Sequence, residues 1–373
     1  MTTLKAEFET APEARVVIGD LSVLVAALAR RGQPFRIGGA GPLVAGLGEF
    51  ETLTSGSLGQ PRHIRRSMAS WIASFAVNAR LFGIGPGVRV AVLGQLEQSL
   101  ALYGAVEALH LGADLYALGG MRADRMRRVL AGAGVEVLYA SPAQLRLLTE
   151  AAGGQVPSLR VILVGGSKLD AGLRTGLAGL APGAALHEFY GAAETSFITL
   201  SGPDDPPDSV GRPYPGVEIL APEALPGEIR VRSAYLFSGY AGGEAGSARW
   251  QDGWLSLGEM GWMADGRLYL AGRAGRMVTV ADHNVFPEAI ETFLLGLTGV
   301  RRAAVLPRGD ALRGVHLVAV LQGDAAREAE ILLALRRHLG ALKAPKVLIW
   351  RQDWPVMPSG KTDLRALAAQ VAA

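Results

Sequence analysis

Four short apolar runs, at residues 88–94, 114–118, 135–139 and 159–164, alternate with helical stretches at 99–111, 122–133 and 142–152. Few architectures accept that rhythm. A short run with no polar face suits a strand buried on both sides, and the intervening helices supply the cover. The pattern therefore predicts a parallel sheet with helices on both faces. Upstream, Trp71, Ile72, Phe75 and Ala79 recur at helical spacing within residues 64–82, which predicts a core helix. Residues 21–31 predict another amphipathic helix, followed by a Gly-rich segment at 37–48.

From Val210 the texture changes. Pro213, Pro215, Pro222 and Pro226 break helices, and residues 217–219, 228–232 and 267–270 read as short strands of a compact β region. Beyond Arg273, a helix at 287–295, paired strands at 300–306 and 314–321, and a helix at 327–339 describe a small α+β module. The expected fold class is α/β. A large N-terminal domain, residues 1–273, combines parallel α/β sheets with a small β region, and a small α+β C-terminal domain follows at 274–373.

Composition excludes several function classes. Cysteine is absent, so disulfides, thiolate catalysis and Cys-based metal sites are ruled out. Formal net charge is only +3, and the pairs Arg65-Arg66, Arg127-Arg128, Arg301-Arg302 and Arg336-Arg337 are scattered. They read as solvated helix faces and sheet ends rather than a nucleic-acid surface. Residues 1–9 lack the apolar core of a signal peptide, and no long uncharged apolar run suggests a membrane span, so the expected location is cytoplasmic.

The chemistry concentrates in loops. Thr54-Ser55-Gly56-Ser57-Leu58-Gly59-Gln60-Pro61-Arg62 offers hydroxyls, glycines and a guanidinium in one short stretch. Backbone N–H groups in such a loop converge on an anion, and Arg62 adds a fixed fork of donors. Other phosphate-loop and nucleophile motifs fail. Gly39-Ala40-Gly41 lacks a dinucleotide-binding frame, Gly360-Lys361-Thr362 has Pro355 where a P-loop needs glycine, and Ser57 has Ser55 where a hydrolase elbow needs glycine. Four more segments follow in order: Gly165-Gly166-Ser167-Lys168, Tyr190-Gly191-Ala192-Ala193-Glu194-Thr195, residues 252–261 with Gly272-Arg273, and Pro358-Ser359-Gly360-Lys361.

In this order the motifs resemble the adenylate-forming superfamily of acyl-CoA synthetases, aryl-CoA ligases and peptide-synthetase adenylation domains, in a short form with a reduced N-terminal region. The resemblance implies that Thr54, Ser55, Gly56, Ser57, Gly59 and Arg62 hold the β- and γ-phosphates of ATP. Gly166, Tyr190, Gly191 and Ala192 would line the adenine and acyl pockets. Glu194 would bind Mg²⁺, a hard cation that takes one or two carboxylates plus phosphate oxygens. Glu259 and Arg273 would hold the ribose, and Lys361 would bridge the substrate carboxylate and the α-phosphate. The C-terminal domain would rotate about Gly275, bringing Asp282, His283 and Asn284 to a thiol tunnel.

The chain departs from the family pattern at several places. Leu58, Ala193 and Leu257 each replace a hydroxyl residue, Arg62 replaces Lys, Glu259 replaces Asp, and Asp282 stands where Gly is usual. Thr195 is a neighbouring hydroxyl that could substitute for the one lost at 193, although its direction would differ. Glu97 and Gln98 lie where an acyl-pocket gate is common, although they also suit the first turn of a helix. The implied activity is ATP-dependent adenylation of a small-molecule carboxylic acid with pyrophosphate release, then transfer to CoA. Transfer to a carrier-protein phosphopantetheine and a non-catalytic nucleotide-binding role stay open, as does assembly into a homodimer.

Overall fold

The structure is a computed structural model that describes residues 7–54, 62–243, 246–280, 283–310, 314–357 and 361–372. An eight-stranded sheet runs in the order Arg15–Ile18, Asp114–Ala117, Arg89–Val92, Val137–Ala140, Val161–Val164, Ala185–Ala192, Ser196–Leu200 and Arg212–Pro213. The first six strands are parallel, and the last two join antiparallel. Every residue of Val137–Ala140 and Val161–Val164 is buried, as continuous apolar runs in a doubly covered sheet require. One core packs the helices Met68–Phe82 and Ser99–Leu111 on one face of the sheet. A second core holds Ala123–Gly132, Pro142–Glu150 and Ala171–Leu180 on the other.

The helix expected over 64–82 begins later. His63–Ser67 is a strand, antiparallel to Glu49–Leu53, and its residues alternate between half-buried and buried. Ser67 then caps the helix Met68–Phe82 by accepting from the Ser70 N–H, and Gly83 ends it at φ 61. The expected strand at 228–232 is divided. Gly227–Glu228 pairs with Glu259–Ala264, whereas Arg230–Arg232 belongs to a different sheet with Glu218–Leu220 and Trp254–Ser256. After residue 277, Val300–Asp310 pairs antiparallel with Gly314–Gly323, which pairs parallel with Val347–Trp350. The buried apolar clusters of this part draw only on residues 280–371, and those of the larger part only on residues 8–268. Among the described residues no helix is long and apolar enough to cross a membrane.

A polar network sits inside the first core. Glu107 is fully buried and accepts from the Tyr139 hydroxyl, from Asn78 Nδ2 at 2.8 Å and from the Tyr103 hydroxyl at 3.3 Å. Burial outweighs these bonds and lifts its pKa from 4.5 to about 7. Between those pH values the native protein keeps a proton that the unfolded chain has released. The stability this proton contributes is therefore complete below pH 4.5 and is lost as pH rises through about 7, by roughly 3 kcal/mol in all. Glu107→Gln keeps the shape and removes the titration. Denaturant unfolding at pH 5 and pH 8 is expected to show this loss in the wild type and not in the variant. Equal pH dependence in both proteins would contradict it.

Candidate active site

Strand Ala185–Ala192 turns back into Ser196–Leu200, with Gly191 opposite Phe197 and Tyr190 opposite Thr199. A Cβ on Gly191 would overlap the Ser196 carbonyl oxygen, so the close return of the hairpin requires glycine. Thr195 Oγ1 accepts from the Ala192 N–H at 2.9 Å, and Thr195 is only 1% exposed. Its hydroxyl is engaged in locking the turn, the different direction that the sequence reading attached to it. The turn presents Glu194, whose Oε1 accepts from the Tyr240 hydroxyl at 3.1 Å and whose carbonyl accepts from the Phe237 N–H at 2.9 Å.

A second hairpin supplies two more groups. Glu259–Ala264 and Arg267–Arg273 pair with Glu259 directly across from Arg273, and Arg273 Nη2 reaches Glu259 Oε1 at 3.3 Å. Glu259 lines a small cleft together with Tyr190, Thr195 and Leu257. The Tyr190 hydroxyl is buried there and has no hydrogen-bond partner among the described residues. Lys361 comes from the far end of the chain and lies close enough to Arg273, Glu259 and Glu194 to feel each charge. Burial and then Arg273 hold its ammonium below the ordinary lysine range, while Glu259 and Glu194 oppose them. Burial likewise raises the Glu259 carboxyl against the pull of Arg273 and Lys361. The structure thus brings Tyr190, Glu194, Glu259, Arg273 and Lys361 into one place.

The phosphate-loop candidates attach beside it. Thr54 and Arg62 close the neck of that loop, with Thr54 N–H donating to the Arg62 carbonyl at 2.9 Å and Arg62 N–H donating to Thr54 Oγ1 at 3.1 Å. The Arg62 guanidinium stands 5.9 Å over the Tyr240 ring, which links the neck to Glu194. Ser55, Gly56, Ser57, Leu58 and Gly59 lie outside the described residues, as do Asp282 and the Pro358-Ser359-Gly360 stretch before Lys361. Gly166 takes φ 105, and Gly165 packs so tightly on Phe189 that a Cβ would strike the ring. Lys168 is spent on structure, donating to the Ser209 carbonyl. Gln98 precedes the helix Ser99–Leu111, so this stretch forms a helix start.

Gly275 sits in a tight turn, Ala274–Arg276, with open space where a Cβ would stand. Arg276 fastens the far side of that turn by donating to Glu291 Oε1 at 2.8 Å and to the Val305 carbonyl at 3.1 Å. His283 and Asn284 are exposed on the short strand His283–Val285. Tyr240 is a site residue that no sequence motif announced. Its strand, Gly239–Tyr240, pairs with Ile64 and Arg65, far away in the chain.

A parallel α/β sheet is followed by a small α+β module, and the Lys–Glu–Arg constellation draws on both. The chain belongs to the AMP-binding enzyme family, whose model matches residues 52–241, just over half of its length. It is 34% identical over 321 residues to the uncharacterized acyl–CoA ligase YhfT of Bacillus subtilis, covering 83% of this chain and 65% of that protein. It is also 28% identical over 365 residues to the medium/long-chain-fatty-acid–[acyl-carrier-protein] ligase FadD10 of Mycobacterium tuberculosis, covering 86% of this chain and 66% of that one. The chain thus spans about two thirds of the length of these relatives. Its fold matches the amide bond synthetase McbA of Marinactinospora thermotolerans with a TM-score of 0.76 at 24% identity, over 96% of this chain and 80% of that one.

Proposed function

We propose that the protein activates a carboxylic acid as an acyl-adenylate, using ATP and releasing pyrophosphate, and then passes the acyl group to the thiol of CoA. The observation that carries this reading is the convergence of Lys361 with Glu194, Glu259 and Arg273. An ammonium held in a poorly solvated site is worth more to a developing negative charge than one in water. Lys361 would place its charge between the attacking carboxylate and the α-phosphate. Glu259, braced by Arg273, would accept from the ribose hydroxyls. The neck residues Thr54 and Arg62 would set the loop against the leaving pyrophosphate.

Among the described residues no group of three or more acidic or His side chains can hold a metal. A lone carboxylate fits Mg²⁺ when phosphate oxygens complete the shell, and Glu194 is positioned to be that ligand. The metal would neutralise phosphate charge. Tyr240→Phe removes one hydrogen bond from Glu194, which is worth about 1 kcal/mol. It is expected to raise the MgATP requirement about threefold to tenfold. Unchanged MgATP saturation would show that Tyr240 does not orient Glu194.

For the second step, the residues beyond Gly275 would swing about that turn, withdrawing Lys361 and bringing Asp282, His283 and Asn284 to the thiol path. The acceptor reading rests on the relative named an acyl–CoA ligase. The comparable match to a relative named for acyl-carrier-protein loading supports a carrier phosphopantetheine as the second reading. Pyrophosphate release across a panel of aliphatic, aryl and amino acids, with and without CoA, tests both. Acceleration by CoA with one acid supports the first reading. Acid-triggered release that CoA leaves unchanged supports the second.

A further inference from the structure

Arg66 departs furthest from what its sequence context suggests. It belongs to an Arg-Arg pair that reads as a solvated surface, yet it is 1% exposed and is among the largest fully buried side chains. Its strand, His63–Ser67, places it opposite Phe50 and runs beneath the Glu194 turn. One guanidinium nitrogen donates to the Ala193 carbonyl. The other donates to Ser196 Oγ at 2.7 Å and to the Tyr235 carbonyl. The first two contacts hold the chain at Ala193 and Ser196, bracketing Glu194 and Thr195. Ser196 is held at φ 55, a left-handed conformation that a side chain adopts at a cost. Nε is buried and has no hydrogen-bond partner among the described residues, and the guanidinium carbon stands 5.8 Å over the Trp71 ring.

All three acceptors are neutral. Among the described residues no carboxylate is hydrogen-bonded or ion-paired to Arg66, and Glu194 is the acid whose charge acts on it. A buried cation with no bonded counter-ion is costly. A fixed positive charge behind a turn that faces a polyanion has a use, however. It attracts that anion without reorganising when the anion arrives.

We propose that Arg66 is a positioning residue that both fixes the Glu194 turn and supplies, from beneath, positive potential for the phosphates of a nucleoside triphosphate. The proposal rests on the adenylation reading for the identity of the anion. In this arrangement Arg66 offsets the hydroxyl missing at Ala193 by acting through the backbone and the field rather than by touching phosphate.

Equilibrium binding of ATP and of adenosine to the full chain tests the proposal without requiring turnover. Arg66→Gln keeps a donor for the carbonyl oxygens and removes the charge, and Arg66→Lys keeps the charge with fewer donors. In Arg66→Gln, ATP affinity is expected to fall about tenfold, with adenosine affinity held within about twofold. In Arg66→Lys, the preference for ATP over adenosine is expected to stay within about threefold of wild type. Equal loss of ATP and adenosine binding in the Gln variant, or no loss of either, would overturn the proposal. Should the Gln variant not fold, loss of the ATP preference in the Lys variant would overturn it equally. Wild-type protein that binds ATP over adenosine but never releases pyrophosphate would sink the adenylation reading and leave the role of Arg66 in phosphate binding standing.

Discussion

Lys361→Ala is expected to lower acid-dependent pyrophosphate release by about 10²–10³-fold, the cost typical of removing one preorganised group that stabilises transition-state charge. The expectation follows from where the chain puts this lysine. It lies more than a hundred residues after Glu194 yet shares one electrostatic environment with Glu194, Glu259 and Arg273. Removing it leaves two carboxylates facing a single guanidinium, so some loss of ATP affinity accompanies the loss of rate. The stronger check is a comparison of half-reactions. Thioester formation from a preformed acyl-adenylate is expected to survive in the variant, because the proposed swing about Gly275 removes Lys361 from the site before that step. Equal pyrophosphate release by wild type and variant would remove Lys361 from the mechanism. Equal damage to both half-reactions would point to a structural role instead.

Glu194→Gln is expected to have the second largest effect, a loss of about 10²-fold in the same reaction. The amide can still accept from the Tyr240 hydroxyl, so the turn and its bonds through Thr195 and Phe237 are expected to hold. Only the negative charge is lost. The signature is therefore a higher Mg²⁺ requirement at fixed ATP together with an unchanged melting temperature. A titration with Mg²⁺ checks it. If the variant saturates at the wild-type Mg²⁺ concentration, Glu194 is not the metal ligand.

Much of the fold is legible in the sequence because burial on both faces leaves a local mark. The strands Val137–Ala140 and Val161–Val164 are continuous apolar runs; the second falls inside the stretch read as a strand, and the first runs one residue past its own. Ser99–Leu111 and Pro287–Leu295 follow their helical periodicity residue for residue. What periodicity cannot carry is pairing across the chain. His63–Ser67 is a strand because Glu49–Leu53 lies beside it, and its apolar content alone extends the neighbouring helix backwards. Ala171–Leu180 carries glycine at 172, 176 and 179, which weakens its helical signal, and packing of Leu173, Leu177 and Leu180 against the second core decides it.

The site divides the same way. Glu194, Glu259, Arg273 and Lys361 stand out through the resemblance of their motifs. Tyr240 and Arg66 do not, because their meaning lies in partners 46 and 127 residues away. The reading of Arg65-Arg66 as a solvated pair fails for the same reason: alternation along a strand sends neighbouring side chains to opposite faces, and the face of Arg66 is covered by the Glu194 turn.

In the proposed function, the Lys361–Glu194 site adenylates a carboxylic acid reversibly. Exchange of labelled pyrophosphate into ATP tests it most directly, because it needs no thiol and reports only the first half-reaction. Exchange is expected to require both Mg²⁺ and one class of carboxylic acid and to collapse in Lys361→Ala. Exchange that proceeds without any acid, or its absence with every acid in a protein that binds ATP, would contradict it.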